Sequence, residues 1–306
     1  MPANFSRRGF IAAVGAAAAG SLLRAPSFAD AAPAPAEIHW GYAAITWGGD
    51  DRQAIDDIAA VGFPGIQLRA NAIAEFSGSA QAVRDLLDQR GLKMVALSSG
   101  DLDVDAPEDA QLTLHAGHAK FLHDAGGQYL QVIGALPKNR VVTDDDYKSM
   151  GRLLNDLGKR TADIGVQLGF HNHMSSLGQA PGEVDKIFDA VDPRYAKLEL
   201  DVAHYWAAGG DSAKAIEQYR DRLLFLHIKD AVDQVPSQDN GGHAYRFVEL
   251  GQGKVDLPAV FAALQEIQFR GWAVIELDGP TDPSRTPKQS AEISKAYVEQ
   301  KLGYSI

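Results

Sequence analysis

The chain has 306 residues, 45% of them hydrophobic and 23% charged, and it contains no Cys. These proportions describe a globular protein and exclude a disordered or fibrous chain, while the missing thiols exclude disulfides, zinc ribbons, iron–sulfur clusters and a Cys nucleophile. The 40 acidic residues outnumber the 29 Lys and Arg, a balance that does not supply the basic face phosphate backbones require, so no nucleic-acid partner is expected.

The first 29 residues contain three Arg and no acid, which leaves 26 basic residues against 40 acids and a net charge of −14 from Asp30 onward. Ser6-Arg7-Arg8-Gly9-Phe10-Ile11 is close to the twin-arginine export pattern. The apolar stretch from Ile11 to Leu23 is short for a membrane span, and Ser27-Phe28-Ala29 places small residues at the −3 and −1 positions of a cleavage site. Residues 1–29 therefore read as a signal peptide, 30–36 as a Pro/Ala linker, and 37–306 as the mature domain. The expected location is periplasmic, with no membrane association once the signal is removed.

From Ile38 onward, short apolar runs alternate with helical patterns. Strands are expected at Ile38–Thr46, Gly65–Arg69, Lys93–Ser98, Gln128–Gly134, Val166–His171, Ala196–Asp201, Leu223–Ile228 and Ala273–Leu277. Spacings of three and four mark helices between them, as in Tyr147, Met150, Leu153, Leu154 and Leu157. Gly62, Gly91, Gly126, Gly165 and Gly271 fall where helix stops are needed, and Asp144-Asp145-Asp146 reads as an N-terminal cap. Eight βα units without GxGxxG, GxxxxGK[ST] or GxSxG motifs predict a single-domain α/β fold, a (β/α)8 TIM barrel. The irregular stretch from Ala231 to Asp256 is a candidate lid at the seventh strand.

A barrel of this kind builds its active site at the C-terminal ends of its strands. The last four strands end in His171 and His173, Glu199 and Asp201, His227 and Lys229, and Glu276 and Asp278. Each pair shares one parity and so one side of its strand. Oxygen and nitrogen donors of this mixture suit one divalent ion, Mn, Mg, Co or Zn. Such an ion stabilises the enediolate formed when a carbon beside a carbonyl loses its proton, and carboxylates or imidazoles can move that proton. His115 and His118, at i and i+3 of a helix with no convergent carboxylate, read as structural, as do His39 and His123.

Leu200-Asp201-Val202-Ala203-His204, Leu226-His227-Ile228-Lys229-Asp230 and Val274-Ile275-Glu276-Leu277-Asp278 resemble three signature segments of the xylose isomerase-like TIM barrels, the sugar phosphate isomerase/epimerase superfamily. Phe247 to Asp256 and Thr286 to Glu292 are similar to its inosose dehydratase-like branch. The resemblance implies metal ligation by Asp201, His227 and Glu276, with His204 touching substrate beside the metal. His171 stands where epimerases carry a metal-binding, proton-shuttling Glu, so His171 or His173 replaces that ligand or only three protein ligands remain. Gln67 and Arg69 also depart from the acid often found on the second strand. The expectation is an exported metal enzyme acting on a small keto-sugar or keto-cyclitol by proton abstraction and β-elimination. Glu276, His204 and His173 are the expected catalytic groups, and His173, His204 and Lys229 the expected substrate contacts. Two alternatives share the site, a sugar isomerase or epimerase and a non-catalytic periplasmic sugar-binding protein. The endonuclease branch of the fold is disfavoured by acidity and export.

Overall fold

The computed structural model describes residues 36–238 and 243–306. The twin-arginine segment and cleavage site lie outside the described residues, as does most of the linker. Eight parallel strands close a barrel: β1 (Glu37–Ala43), β2 (Gly65–Arg69), β3 (Lys93–Leu102), β4 (Tyr129–Gly134), β5 (Gln167–His171), β6 (Ala196–Asp201), β7 (Leu223–Ile228) and, last in the chain, β10 (Arg270–Ile275), which pairs with both β7 and β1. Strands β8 (Asp230–Asp233) and β9 (Tyr245–Val248) form a separate antiparallel pair. The helices that cover the barrel include α1 (Asp51–Val61), α2 (Asn71–Glu75), α3 (Ala80–Arg90), α4 (Glu108–Asp124), α5 (Asp144–Ile164), α6 (Pro181–Phe188), α7 (Val202–Ala207), α8 (Ser212–Gln218), α9 (Leu257–Glu266) and α10 (Pro287–Tyr297). No described helix is long and apolar enough to cross a membrane.

Several boundaries differ from the sequence expectation. β1 stops at Ala43 and gives way to a 3₁₀ turn at Ala44–Trp47, whose Thr46 hydroxyl donates to the Leu277 carbonyl. β3 runs on to Leu102, because its register with β4 shifts between Ser98 and Asp101. β10 starts earlier and ends at Ile275, so Glu276 and Asp278 stand just past the strand. Gly271 lies inside β10 and is no helix stop; Gln268, at φ +55°, takes the left-handed position after α9 instead.

Other local signals act as read. Asp146 accepts the Thr143 N–H at 2.7 Å in a capping box at the start of α5, and Arg140 pairs with the same carboxylate. The large apolar core lies between the barrel and its helices. A smaller cluster containing Val95, Phe225, Trp272 and Val274 fills the barrel interior. A Cβ on Gly65 would lie 2.4 Å from the Trp272 ring, so the bottom of the barrel is packed shut. Two residues further along the same faces, Phe225 and Val274 give way to His227 and Glu276. A polar layer thus sits on an apolar floor.

Candidate metal centre and cleft

His227, at the end of β7, is the hub. Its Nε2 lies 2.8 Å from Gln67 Oε1 and 2.7 Å from Glu199 Oε1. Gln67 donates through Nε2 to Gln131 Oε1 at 2.8 Å, which turns the Gln67 oxygen toward the imidazole. Both neighbours of Nε2 are acceptors, so Nε2 carries the proton and Nδ1 is the atom offered to an ion. Nδ1 lies 3.0 Å from Glu276 Oε2 and 3.7 Å from Asp201 Oδ2. Burial opposes a charge on His227, but Glu199 and then Glu276 overcome it and hold the imidazole well above its usual range, so an ion at Nδ1 would take the place of a proton there.

Asp201 ends β6 and caps α7, its Oδ1 accepting the N–H groups of Ala203 and His204 at 2.8 Å each. The carboxylate is thereby fixed with Oδ2 turned away. Asn172 clamps the same point across β5 and β6, donating to the Asp201 carbonyl and accepting the Asp201 N–H. Asp201 Oδ2, His227 Nδ1 and His171 Nδ1 are all buried without a hydrogen-bond partner among the described residues. Such groups are costly to leave empty-handed. Donor atoms of His171, Asp201 and His227 lie within 4.8 Å of one another, and Glu276 Oε2 reaches the same imidazole. One carboxylate oxygen, two imidazole nitrogens and a second carboxylate form a donor set that fits a divalent ion.

A second group, His171, His173 and His204, also brings ligand atoms within 4.8 Å. Hydrogen-bond polarity decides against it. The Met174 N–H donates to His204 Nδ1 at 3.2 Å, so the neutral ring keeps its proton on Nε2 and has no lone pair there for an ion. Burial, followed by the nearby Lys229, holds His204 well below the ordinary imidazole range.

Lys229, expected to touch substrate, is buried. Its Nζ donates to Glu276 Oε1 at 2.7 Å and Asp278 Oδ1 at 2.8 Å, and lies 3.9 Å from the Phe247 ring centroid. Burial would raise the Glu276 carboxyl, but His227 and then Lys229 outweigh it and hold the group well below the usual range. Glu199 is the residue the sequence reading undervalued. It was visible only as the same-parity partner of Asp201, yet it lies between His227 and His171, with Nδ1 of the latter 3.6 Å from Oε1. Burial pushes its carboxyl up to about 7 against the pull of His227.

Two cavities meet over this floor. One of about 360 Å³ is lined by residues including His173, Met174, His204, Tyr245, Phe247 and Asp278. The other, about 170 Å³, is lined by residues including Gln67, Arg69, Asp101, His171, His173 and Glu276. His173 borders both. The aromatic wall of the larger cavity comes from the stretch expected to be an irregular lid; part of it is the β8–β9 hairpin. Its short strands were hidden by a loop-like composition. His115 and His118 lie elsewhere, on α4, where Ser99 Oγ meets their Nδ1 atoms at 2.7 and 2.8 Å.

The chain is similar to known proteins in sequence and in fold. A family model described as xylose isomerase-like TIM barrel matches residues 55–297. Over 293 residues the chain is 25% identical to the inosose dehydratase of Lacticaseibacillus casei, covering 86% of this chain and 96% of that protein. The IOLI protein, solved with a binding zinc atom, superposes at TM-score 0.72 and 19% identity over 88% of this chain and 100% of its own. A D-allulose 3-epimerase from Methylomonas sp. superposes at TM-score 0.69 and 22% identity over 87% of this chain and 98% of its own. With most of its length matched by the family model and its barrel closed as that family requires, this chain belongs to the xylose isomerase-like TIM barrel family.

Proposed function

We propose that this protein is an exported, divalent-metal-dependent enzyme that abstracts a proton beside the carbonyl of a keto-sugar or keto-cyclitol, with β-elimination of water or an alkoxide as the favoured outcome. The observation that carries the reading is the trio of partnerless buried donors, Asp201 Oδ2, His227 Nδ1 and His171 Nδ1, at the floor of a polar cleft. The name of the relatives, inosose dehydratase, fits both the ketone and the elimination.

His171, Asp201, His227 and Glu276 would hold the ion, and the donor mixture suits Mn, Mg, Co or Zn. When bound, it supplies Lewis acidity toward a carbonyl oxygen and so lowers the cost of the negative charge left when the neighbouring carbon loses a proton. Lys229 keeps Glu276 ionised, so that the carboxylate meets the cation and not a proton. His204 presents a buried Nε2–H without a protein partner toward the cleft, in reach of a substrate oxygen. His173, between the two cavities, is the other proton-handling group. Tyr245 and Phe247 offer a sugar ring an apolar wall.

Metal-replete enzyme incubated in heavy water with 3-keto-glycosides, inosose and simple ketoses should incorporate deuterium beside the carbonyl and release water or alcohol from the adjoining carbon. Clean stereoinversion without an eliminated product would make the protein an epimerase. Tight binding without turnover would make it a sugar-binding protein.

Export rests on the Arg7-Arg8 segment and on Ser27 and Ala29. Periplasmic protein should begin near Asp30, and Arg7→Lys with Arg8→Lys should block export. Mass spectrometry of the exported protein retaining Met1 to Ala29 would sink this part of the proposal.

A further inference from the structure

The backbone of a single residue, Met174, sits between two imidazoles at the mouth of the cleft. The Met174 carbonyl lies 2.6 Å from His173 Nδ1, and the Met174 N–H donates to His204 Nδ1 at 3.2 Å. A carbonyl can only accept and an N–H can only donate. His173 therefore carries a proton on Nδ1 and, as the neutral ring, presents a bare Nε2, whereas neutral His204 is bare at Nδ1 and carries its proton on Nε2. The two rings are neighbours, with centroids 4.0 Å apart. His204 Nε2 is buried and meets no partner among the described residues. His173 is half-buried, lines both cavities, and has its backbone fixed as well, since the Ser176 hydroxyl donates to its carbonyl at 2.6 Å.

We infer that the backbone N–H and C=O of Met174 lock His173 and His204 in opposite tautomers, making His173 the proton acceptor of the reaction and His204 the hydrogen-bond donor to the substrate oxygen. The reacting atoms in this assignment rest on the keto-sugar reading above; the tautomers rest on the Met174 backbone alone. His173 Nε2 takes the proton from the carbon beside the carbonyl. The C–H electron pair becomes a C=C bond while the carbonyl π pair moves onto oxygen, toward which His204 Nε2–H is directed. The carbonyl then re-forms, the C=C pair shifts one bond along, and the oxygen substituent on the next carbon is expelled and leaves with the proton that His173 carried. Glu276 drops out as the base: Lys229 saturates one of its oxygens and the other faces His227. One imidazole both takes and returns the proton, which ties the reaction to one face of the substrate and favours elimination over inversion.

The test has two arms on the full chain. Long-range ¹H–¹⁵N spectra of histidine-labelled protein, metal-free and zinc-loaded, assigned with His173→Gln and His204→Gln, should show Nδ1 protonated in His173 and Nε2 protonated in His204. The reverse pattern at either ring would overturn the inference. In heavy water, His173→Gln should lower the exchange rate by about 100-fold or more, as loss of a general base does, at unchanged zinc stoichiometry. Exchange at the wild-type rate would remove His173 from the role even if the tautomers are as stated. If wild-type enzyme exchanges none of the ketones offered, the keto-sugar reading fails by itself, and the spectra still decide the tautomers.

Discussion

His227 shows how much of this site is decided by atoms that never meet an ion. Gln67 and Glu199 take its Nε2–H, so Nδ1 is the only atom left to face Asp201 and Glu276. Gln67→Leu should lower metal affinity by about 10–100-fold while the barrel stays folded, the usual cost of losing a group that orients a ligand; calorimetric titration with Zn or Mn would measure it. Asp201→Asn should lose most of the bound metal, because the substitution puts an amide nitrogen or a rotated carbonyl where Oδ2 now waits. Outside the centre, Asp51 makes a stability claim. Burial, then the charge of Glu75, raises its carboxyl to about 7. The folded protein thus keeps a proton that the unfolded chain loses near 3.8, and stability falls as pH rises from about 4 to 7, then levels off. Asn71 donates to Asp51 Oδ2 at 2.7 Å, a bond an asparagine oxygen can still accept. Asp51→Asn should therefore leave Tm at pH 4 nearly unchanged and raise it at pH 8 by about 3 °C or more, measurable by thermal melts at the two pH values.

The β8–β9 hairpin is the element that converts a generic barrel mouth into a cleft, and it is fastened by two buried carboxylates. Asp230 accepts the backbone N–H groups of Ala231, Gly251, Gly253 and Val255. A Cβ on Gly253 would lie 2.0 Å from Asp230 Oδ1, which explains the Gly-Gln-Gly run after β9. Glu249 holds the other end, accepting from Thr281, Arg285 and Ser290. Asp230→Ala should strand buried donors at a cost of roughly 2 kcal/mol, loosen Phe247 and Tyr245, and raise KM while the metal content stays at the wild-type level; steady-state kinetics and elemental analysis on one preparation would check both. The hairpin was poorly legible in sequence because Tyr245–Val248 is only four residues long and its neighbours are Gly, Asp, Asn and Gln. The barrel strands were legible because they are short, largely buried runs rich in apolar residues, as in β7, where all six residues are buried. Their ends were less so. Glu276 was read as part of its strand, whereas β10 stops one residue earlier and its carboxylate bridges His227 and Lys229.

At the scale of the whole molecule, the barrel is a packed apolar plug with a polar lid layer, and the chemistry occupies the boundary between them. Parity arguments located the candidate ligands, because residues two apart on a strand face the same way. They did not reveal that Lys229 is consumed by Glu276 and Asp278, or that Glu199 and Gln131 reach across the interior, since those partners come from strands far apart in sequence. The departure at His171 from the family's expected Glu was visible, and the structure gives it a setting: a buried imidazole beside Asp201, His227 and Glu199, with Nδ1 unsatisfied. The account therefore stands on a metal-assisted deprotonation beside a carbonyl. The most direct measurement is deuterium incorporation from heavy water into a 3-keto-glycoside or inosose, made with metal-replete and with chelator-stripped enzyme side by side. Exchange and loss of the adjoining oxygen substituent that appear with the ion, vanish on stripping and return on adding Mn are the expected result. Exchange at the same rate in the stripped protein would contradict the account.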